Sequence, residues 1–241
     1  MSATVAGDAP VRAAMPLSSP GQVVDAIVRG LYTGRYAPGQ RLIEADLVRE
    51  YKVGRGTIRE ALQRLAAEGV VSLNLHRGAY VRVLSRSETR DVFAVIEALT
   101  GLAARLAAER VHDRGNTALM REAMEGVASA ADGDYVDYVQ ARNRFYRRLV
   151  GIGGNRELHR ILPTLHIHLL RTQFRRHGGA TERRRIEEYA RIAEAVDAAD
   201  PDAAERAMRA HVRRTATLIE ELPGDAFAPD GNGLPDAQAR E

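Results

Sequence analysis

Three long polar side chains stand four residues apart near the front of this 241-residue chain: Arg55, Arg59 and Gln63. On a helix that spacing puts them on one face. An arginine fork bonds guanine O6 and N7 together, and a glutamine pairs with adenine. The chemistry on offer is the reading of base edges in a DNA major groove. On the same stretch, Ile58, Ala61, Leu62 and Leu65 form an apolar stripe at helical spacing. One helix within Val53–Gly69 therefore buries one face and presents long hydrogen-bonding groups on another. The plainer alternative is a surface helix with solvated charges, so the neighbouring elements have to decide.

Upstream, Glu44–Tyr51 (EADLVREY) reads as a second short helix with Leu47, Val48 and Tyr51 on its apolar side. Lys52-Val53-Gly54 is a tight connection, which gives helix, short turn, helix. Downstream, Val70–Leu75 reads as a strand, His76-Arg77-Gly78 as a turn and Ala79–Leu84 as a second strand. The alternation of Ala79, Val81 and Val83 against Tyr80 and Arg82 supports a two-stranded ribbon. Together these elements form a winged helix-turn-helix with Arg77 at the wing tip.

Residues 35–84, with RYAPGQRL, EADLVREYKVGRGTIREALQRLAAEGVV and HRGAYV, resemble the N-terminal domain of the GntR family of bacterial transcription regulators. The resemblance implies that Arg55 and Arg59 contact bases or phosphates, and the DNA contacts expected from this helix are Arg55, Gly56, Thr57, Arg59 and Gln63. It also implies a wing turn, His76, Arg77 and Gly78, that reaches the minor groove. Two departures stand out. The family usually has Ser where this chain has Gly54, and Thr-Pro where it has Gly56-Thr57. Gly54 caps a helix only weakly, and Thr57 is left to supply a hydroxyl to a phosphate.

Composition bounds the rest. At 45% apolar the chain can bury a core, and its Ala, Leu and Arg content favours helices. There is no cysteine, which excludes disulfides, thiolate metal sites and a cysteine nucleophile. No apolar run approaches the roughly 20 residues of a membrane span. The N-terminus lacks an apolar core behind a basic start. The expectation is a cytoplasmic protein with no membrane partner. Net charge is +3 overall, but residues 20–85 hold ten Lys+Arg against six Asp+Glu. The winged domain is thus the most positive part per residue, as phosphate neutralisation requires.

Ser19-Pro20 reads as an N-cap with proline at the first helical position. It opens a helix to about Tyr32 that buries Val23, Ala26, Ile27 and Leu31. Beyond a polar hinge at 85–87, the chain reads as helices near 88–110, 115–131, 134–152, 155–176, 181–199 and 202–221. Pro163 predicts a kink in the fourth. The first carries Val92, Val95, Ile96, Leu99, Leu102, Ala103 and Leu106, a broad face suited to a bundle core or a dimer contact. The fold expected is mainly α: an N-terminal winged helix-turn-helix at 19–84 followed by an all-helical antiparallel bundle of about six helices at 88–222. Residues 1–18 and 223–241 read as disordered tails.

This arrangement looks like the FadR subgroup of GntR regulators, whose C-terminal helical domain (FCD) binds an effector and dimerises. The carrying residues are NRFYRRLVGIGGNREL at 143–158 and EEYARIAEAVDAADPDAAERAMRAHV at 187–212. Many members hold a divalent metal with one Asp and three His. Aligned on this chain, the Asp and first His fall on Arg142 and Tyr146, and the second His on Tyr189. Only the third is kept, as His211, and a common Arg falls on Ile96. A guanidinium has no acceptor and cannot bind a cation. A phenol with a pKa of about 10 is a poor zinc ligand. The expectation is no metal and no cofactor. Instead Arg142 would fork onto a carboxylate or phosphate of an organic-acid effector, with hydrogen bonds from Tyr146, Tyr189 and His211 and an apolar wall at Ile96. The plainer alternative pairs Arg142 with a nearby acid and lets both tyrosines fill the core.

The function expected is a ligand-responsive repressor that binds a palindromic operator as a homodimer and is released by a small molecule. A second reading is a metal-responsive regulator using His166, His168 and His211. Two residues apart on a helix, His166 and His168 point about 200° away from each other. Arg171, Arg175, Arg176 and Arg183 to Arg185 form a further basic run, either solvated or an extra DNA contact. No nucleophile–base–acid spacing and no phosphate loop is present, so an enzyme is not expected.

Overall fold

The computed structural model describes residues 18–74, 78–113, 115–162, 170, 173–174 and 185–230. His76, Arg77, Pro163, His166, His168, Arg171, Arg175, Arg176, Arg183 and Arg184 lie outside them. So do the expected tail at 1–17 and residues 231–241.

Helix α1 spans Pro20–Thr33 and opens on a capping box. The Ser19 hydroxyl accepts from the Gln22 amide at 3.3 Å, and the Gln22 side chain accepts from the Ser19 amide at 3.2 Å. Strand β1 is the dipeptide Arg41–Leu42, and α2 spans Glu44–Tyr51. Helix α3 covers Arg55–Ala67. Strands β2 (Val71–Asn74) and β3 (Gly78–Val81) complete the wing in a sheet of order β1-β3-β2, antiparallel throughout. The apolar stripe of α3 packs on α1, where Val23, Ile27 and Leu31 are also buried. Burying each such aliphatic side chain contributes roughly 1.5–3 kcal/mol. Gly30 of α1 is required by its neighbour, because a Cβ there would lie 2.6 Å from the Tyr36 ring. That ring is held by hydrogen bonds to Tyr51 at 2.7 Å and Glu50 at 2.8 Å.

The second wing strand differs from the expected Ala79–Leu84. It ends at Val81, where both partners run out. Val81 makes its last bonds to Gly39 and Gln40, at the edge of the Pro38-Gly39 turn, and Arg82 bonds Val70 just after Gly69. Leu84 is buried nonetheless. The third strand, β1, was not anticipated; two residues carry no readable alternation.

The bundle begins earlier than the residue pattern implies. Helix α4 spans Arg86–Arg110, and Ser85, placed in a polar hinge, is its N-cap with a capping box to Glu88. Helices α5 (Asn116–Ala130), α6 (Tyr135–Gly153) and α7 (Arg156–Ile161) follow, then α8 (Ile186–Asp197) and α9 (Pro201–Glu220). Helix α4 lies along α9, α6 and α8. Its Ala103, Ala104, Ala107 and Ala108 are buried and let the neighbours approach closely. Gly154 closes α6 at φ 64°, a left-handed cap that glycine adopts without strain.

Residues 223–230 do not form a loose tail. A short 3₁₀ turn at Gly224–Ala226 brings Phe227 onto Phe174, ring centroids 5.3 Å apart, under the Arg86 guanidinium at 4.2 Å. Arg86 also donates to the carbonyls of Glu220 and Leu222. Gln173 is buried and bonds both the N–H and the C=O of Leu84, at 2.8 and 2.9 Å, and the Ala226 carbonyl at 2.9 Å. The link between winged domain and bundle is therefore a knot of three chain segments.

Candidate DNA interface and buried polar cluster

Helix α3 sorts its residues as the spacing requires. Ile58, Ala61, Leu62 and Leu65 are buried, Thr57 is partly buried, and Arg55, Gly56, Arg59 and Gln63 are exposed. The helix starts at Gly54 with no side-chain cap and has no acidic residue in its first turn. A Cβ at Gly54 or Gly56 would meet nothing within 4 Å. The backbone at the front of α3 is bare, and its N–H groups point outward toward any anion that approaches. Gly78 stands at the wing turn with φ 85°, beside the Arg41 guanidinium. Arg41 lies 6.0 Å from the Tyr80 ring centroid. It is a cation at the wing that sequence reasoning missed, because β1 was missed. Arg59 is not free: its Nε donates to both carboxylate oxygens of Glu44, at 3.0 and 3.3 Å.

In the bundle, α6, α8 and α9 bring Arg142, Tyr146, Tyr189 and His211 into one cluster. Arg142 Nε donates to the Tyr189 hydroxyl at 2.7 Å. The Tyr189 ring lies 4.8 Å from His211, 6.2 Å from Tyr146 and 5.0 Å from Phe145. Arg142 also sits over the Tyr138 ring at 5.5 Å. Ile96 is buried on α4, which packs against all three helices. No carboxylate among the described residues lies within ion-pairing distance of Arg142. Burial opposes its charge, but the oxygens of Tyr189, Tyr138 and Tyr146 outweigh that and hold it protonated.

Glu188 is the functional candidate that sequence reasoning missed. It is buried, accepts from His211 Nδ1 at 2.7 Å and pairs with Arg214 Nε at 3.0 Å. In the sequence it is one acid in an exposed-looking Glu-Glu pair, and nothing in its local spacing marks it as buried. The donor set does not fit a metal ion: a guanidinium occupies the centre, His211 has committed Nδ1, and Glu188 is shared with Arg214. Among the described residues no group of three His, Asp or Glu could hold one. No described helix is long and apolar enough to cross a membrane.

Residues 20–81 match the domain described as bacterial regulatory proteins, gntR family, and residues 91–214 match the FCD domain. The chain is 30% identical over 196 residues to a probable D-xylose utilization operon transcriptional repressor of Paenarthrobacter nicotinovorans. That match covers 79% of this chain and 84% of the relative. It is 31% identical over 123 residues to the Nta operon transcriptional regulator of Aminobacter aminovorans, covering 51% and 58%. Among solved structures, the fold is shared with McbR/YncC of Escherichia coli (TM-score 0.73, 20% identity, 85% of this chain and 99% of that one). It is also shared with a GntR regulator from Rhodococcus sp. RHA1 (TM-score 0.72, 18% identity, 85% and 99%).

Proposed function

The chain belongs to the gntR family of bacterial regulatory proteins, with an FCD domain behind its winged helix, and from that premise we propose that it is a ligand-released repressor acting as a homodimer on a palindromic operator. As a family member it is a DNA-binding transcriptional regulator and not an enzyme. One observation carries the DNA reading: α3 commits its apolar stripe to α1 and leaves Arg55, Arg59 and Gln63 outward. Gly56 and Thr57 lie on the leading turn of α3, and His76, Arg77 and Gly78 supply the wing contact.

Homodimerisation is supported by α4, where Val95 is 45% and Leu102 37% exposed one face away from the buried alanines. Two copies joined there would present two recognition helices to half-sites about one DNA turn apart. The relative named as an operon repressor supports repression as the sign.

The effector is an organic acid whose carboxylate meets Arg142, with Tyr146, Tyr189, His211 and Ile96 around it. A buried guanidinium with only phenol partners is short of negative charge, which a carboxylate supplies. Ligand and DNA then oppose each other through differential affinity for two arrangements of the winged domains, typically 5- to 150-fold. The test is a thermal-shift screen with organic acids, sugar acids and acyl thioesters, followed by footprinting of the protein's own upstream DNA. A stabilising acid that also erases a symmetric footprint is expected. A footprint that no stabilising acid disturbs would overturn the release mechanism.

A further inference from the structure

Arg59 is a base-reading candidate that already has a partner, and that partner stands on another helix. Glu44 opens α2, and both of its oxygens accept from Arg59 Nε. The two side chains are 40% and 68% exposed, so the pair adds little to folding. A carboxylate at the edge of a DNA-facing surface also repels phosphates. Neither consideration favours an acid at that position, whereas the geometry of the bond does. Glu44 bonds the guanidinium at Nε, and among the described residues neither Nη group has a hydrogen-bond partner. A long side chain that would otherwise sample many rotamers is tethered at its neck while the side chain as a whole stays 68% exposed. Arg55, on the same face, has no carboxylate partner among the described residues, so the tether is specific to Arg59.

We infer that Glu44 is a positioning residue for sequence recognition: it aims the Nη–Nη end of Arg59 at a base and cancels the charge that Arg59 would lend to sequence-independent phosphate attraction. This rests on the reading of α3 as the recognition helix. Affinity for arbitrary DNA is given up, and discrimination is gained.

Two substitutions in the full-length protein separate the charge from the tether. Glu44→Gln keeps an oxygen that accepts from Nε but removes the charge. Glu44→Ala removes both. Each variant and the parent are put through selection from a random duplex pool, and binding to one selected and one scrambled duplex is titrated against salt. Both variants should bind the scrambled duplex several-fold more tightly, with a log–log salt slope steeper by about one per monomer. Glu44→Gln should keep the selected sequence. Glu44→Ala should lose about tenfold preference at one base pair per half-site. Arg59→Ala should then cost less in the Glu44→Ala background than in the parent. If the Glu44→Ala preference stays within twofold of the parent, or scrambled-duplex binding weakens, the positioning role is wrong while the DNA reading stands. If the parent selects no sequence at all, both fall.

Discussion

His211 and Glu188 tie the stability of the bundle to pH. Burial pushes the His211 imidazole below its ordinary 6.5, although the Glu188 hydrogen bond pulls the other way. Burial raises the Glu188 carboxyl, but the bond to His211 and the charges of His211, Arg214 and Arg185 outweigh that and hold it below its ordinary 4.5. In the unfolded chain both groups take up protons at higher pH than in the folded one. Stability is therefore fully present above about pH 6.5 and falls as pH drops, first through His211 and then, below about 4.5, through Glu188. Urea denaturation of the parent and of His211→Gln from pH 8 to 4 should show the parent losing stability faster between 6.5 and 5. Parallel curves there would place the imidazole in water. Tyr189→Phe leaves Arg142 Nε without its acceptor and should cost about 1–3 kcal/mol by the same measurement. Arg142→Met should be neutral or stabilising in denaturant yet abolish any carboxylate-induced thermal shift. A shift that survives would put the effector elsewhere.

At the scale of elements, the knot around Leu84 sets how firmly the winged domain is fixed to the bundle. Phe227 fills it from the C-terminal segment, and Phe227→Ala should lower stability by about 3 kcal/mol in denaturant at an unchanged m-value. A loss under 1 kcal/mol would mean that the segment merely rests on the surface. This knot was invisible in the sequence for a physical reason. Periodicity reports what neighbours along the chain do, and Gln173 and Leu84 are 89 residues apart. One phenylalanine in a stretch rich in Pro, Gly, Asp and Ala carries no period at all. The same limit hid the Glu44–Arg59 pair, 15 residues apart on two helices. What was legible was local: the two stripes of α3 and the Ser19-Pro20 start of α1, where the serine accepts from the Gln22 amide. That Arg142, Tyr146, Tyr189 and His211 belong together was named from residue types alone, and the three helices do gather them. Glu188 was not, since its burial depends on α9 lying against α8.

For the whole molecule, the dimer proposed above would use the exposed Val95 and Leu102 of α4 as its seam. Val95→Glu with Leu102→Glu should convert the protein to monomers in sedimentation at micromolar concentration. The winged domain should stay folded and operator affinity should fall steeply, because each half-site is then bound alone. An unchanged dimer would move the seam to another face. All of this depends on α3 lying against bases. The most direct test is a fluorescence-anisotropy competition at fixed, low salt between the protein's own upstream duplex and a scrambled one, run on the parent and on Arg59→Ala. The parent should prefer its own duplex by at least about a thousandfold, as specific DNA binders do. Arg59→Ala should lose most of that preference while retaining its helical content. Equal binding to both duplexes by the parent, or an undiminished preference in Arg59→Ala, would contradict the account.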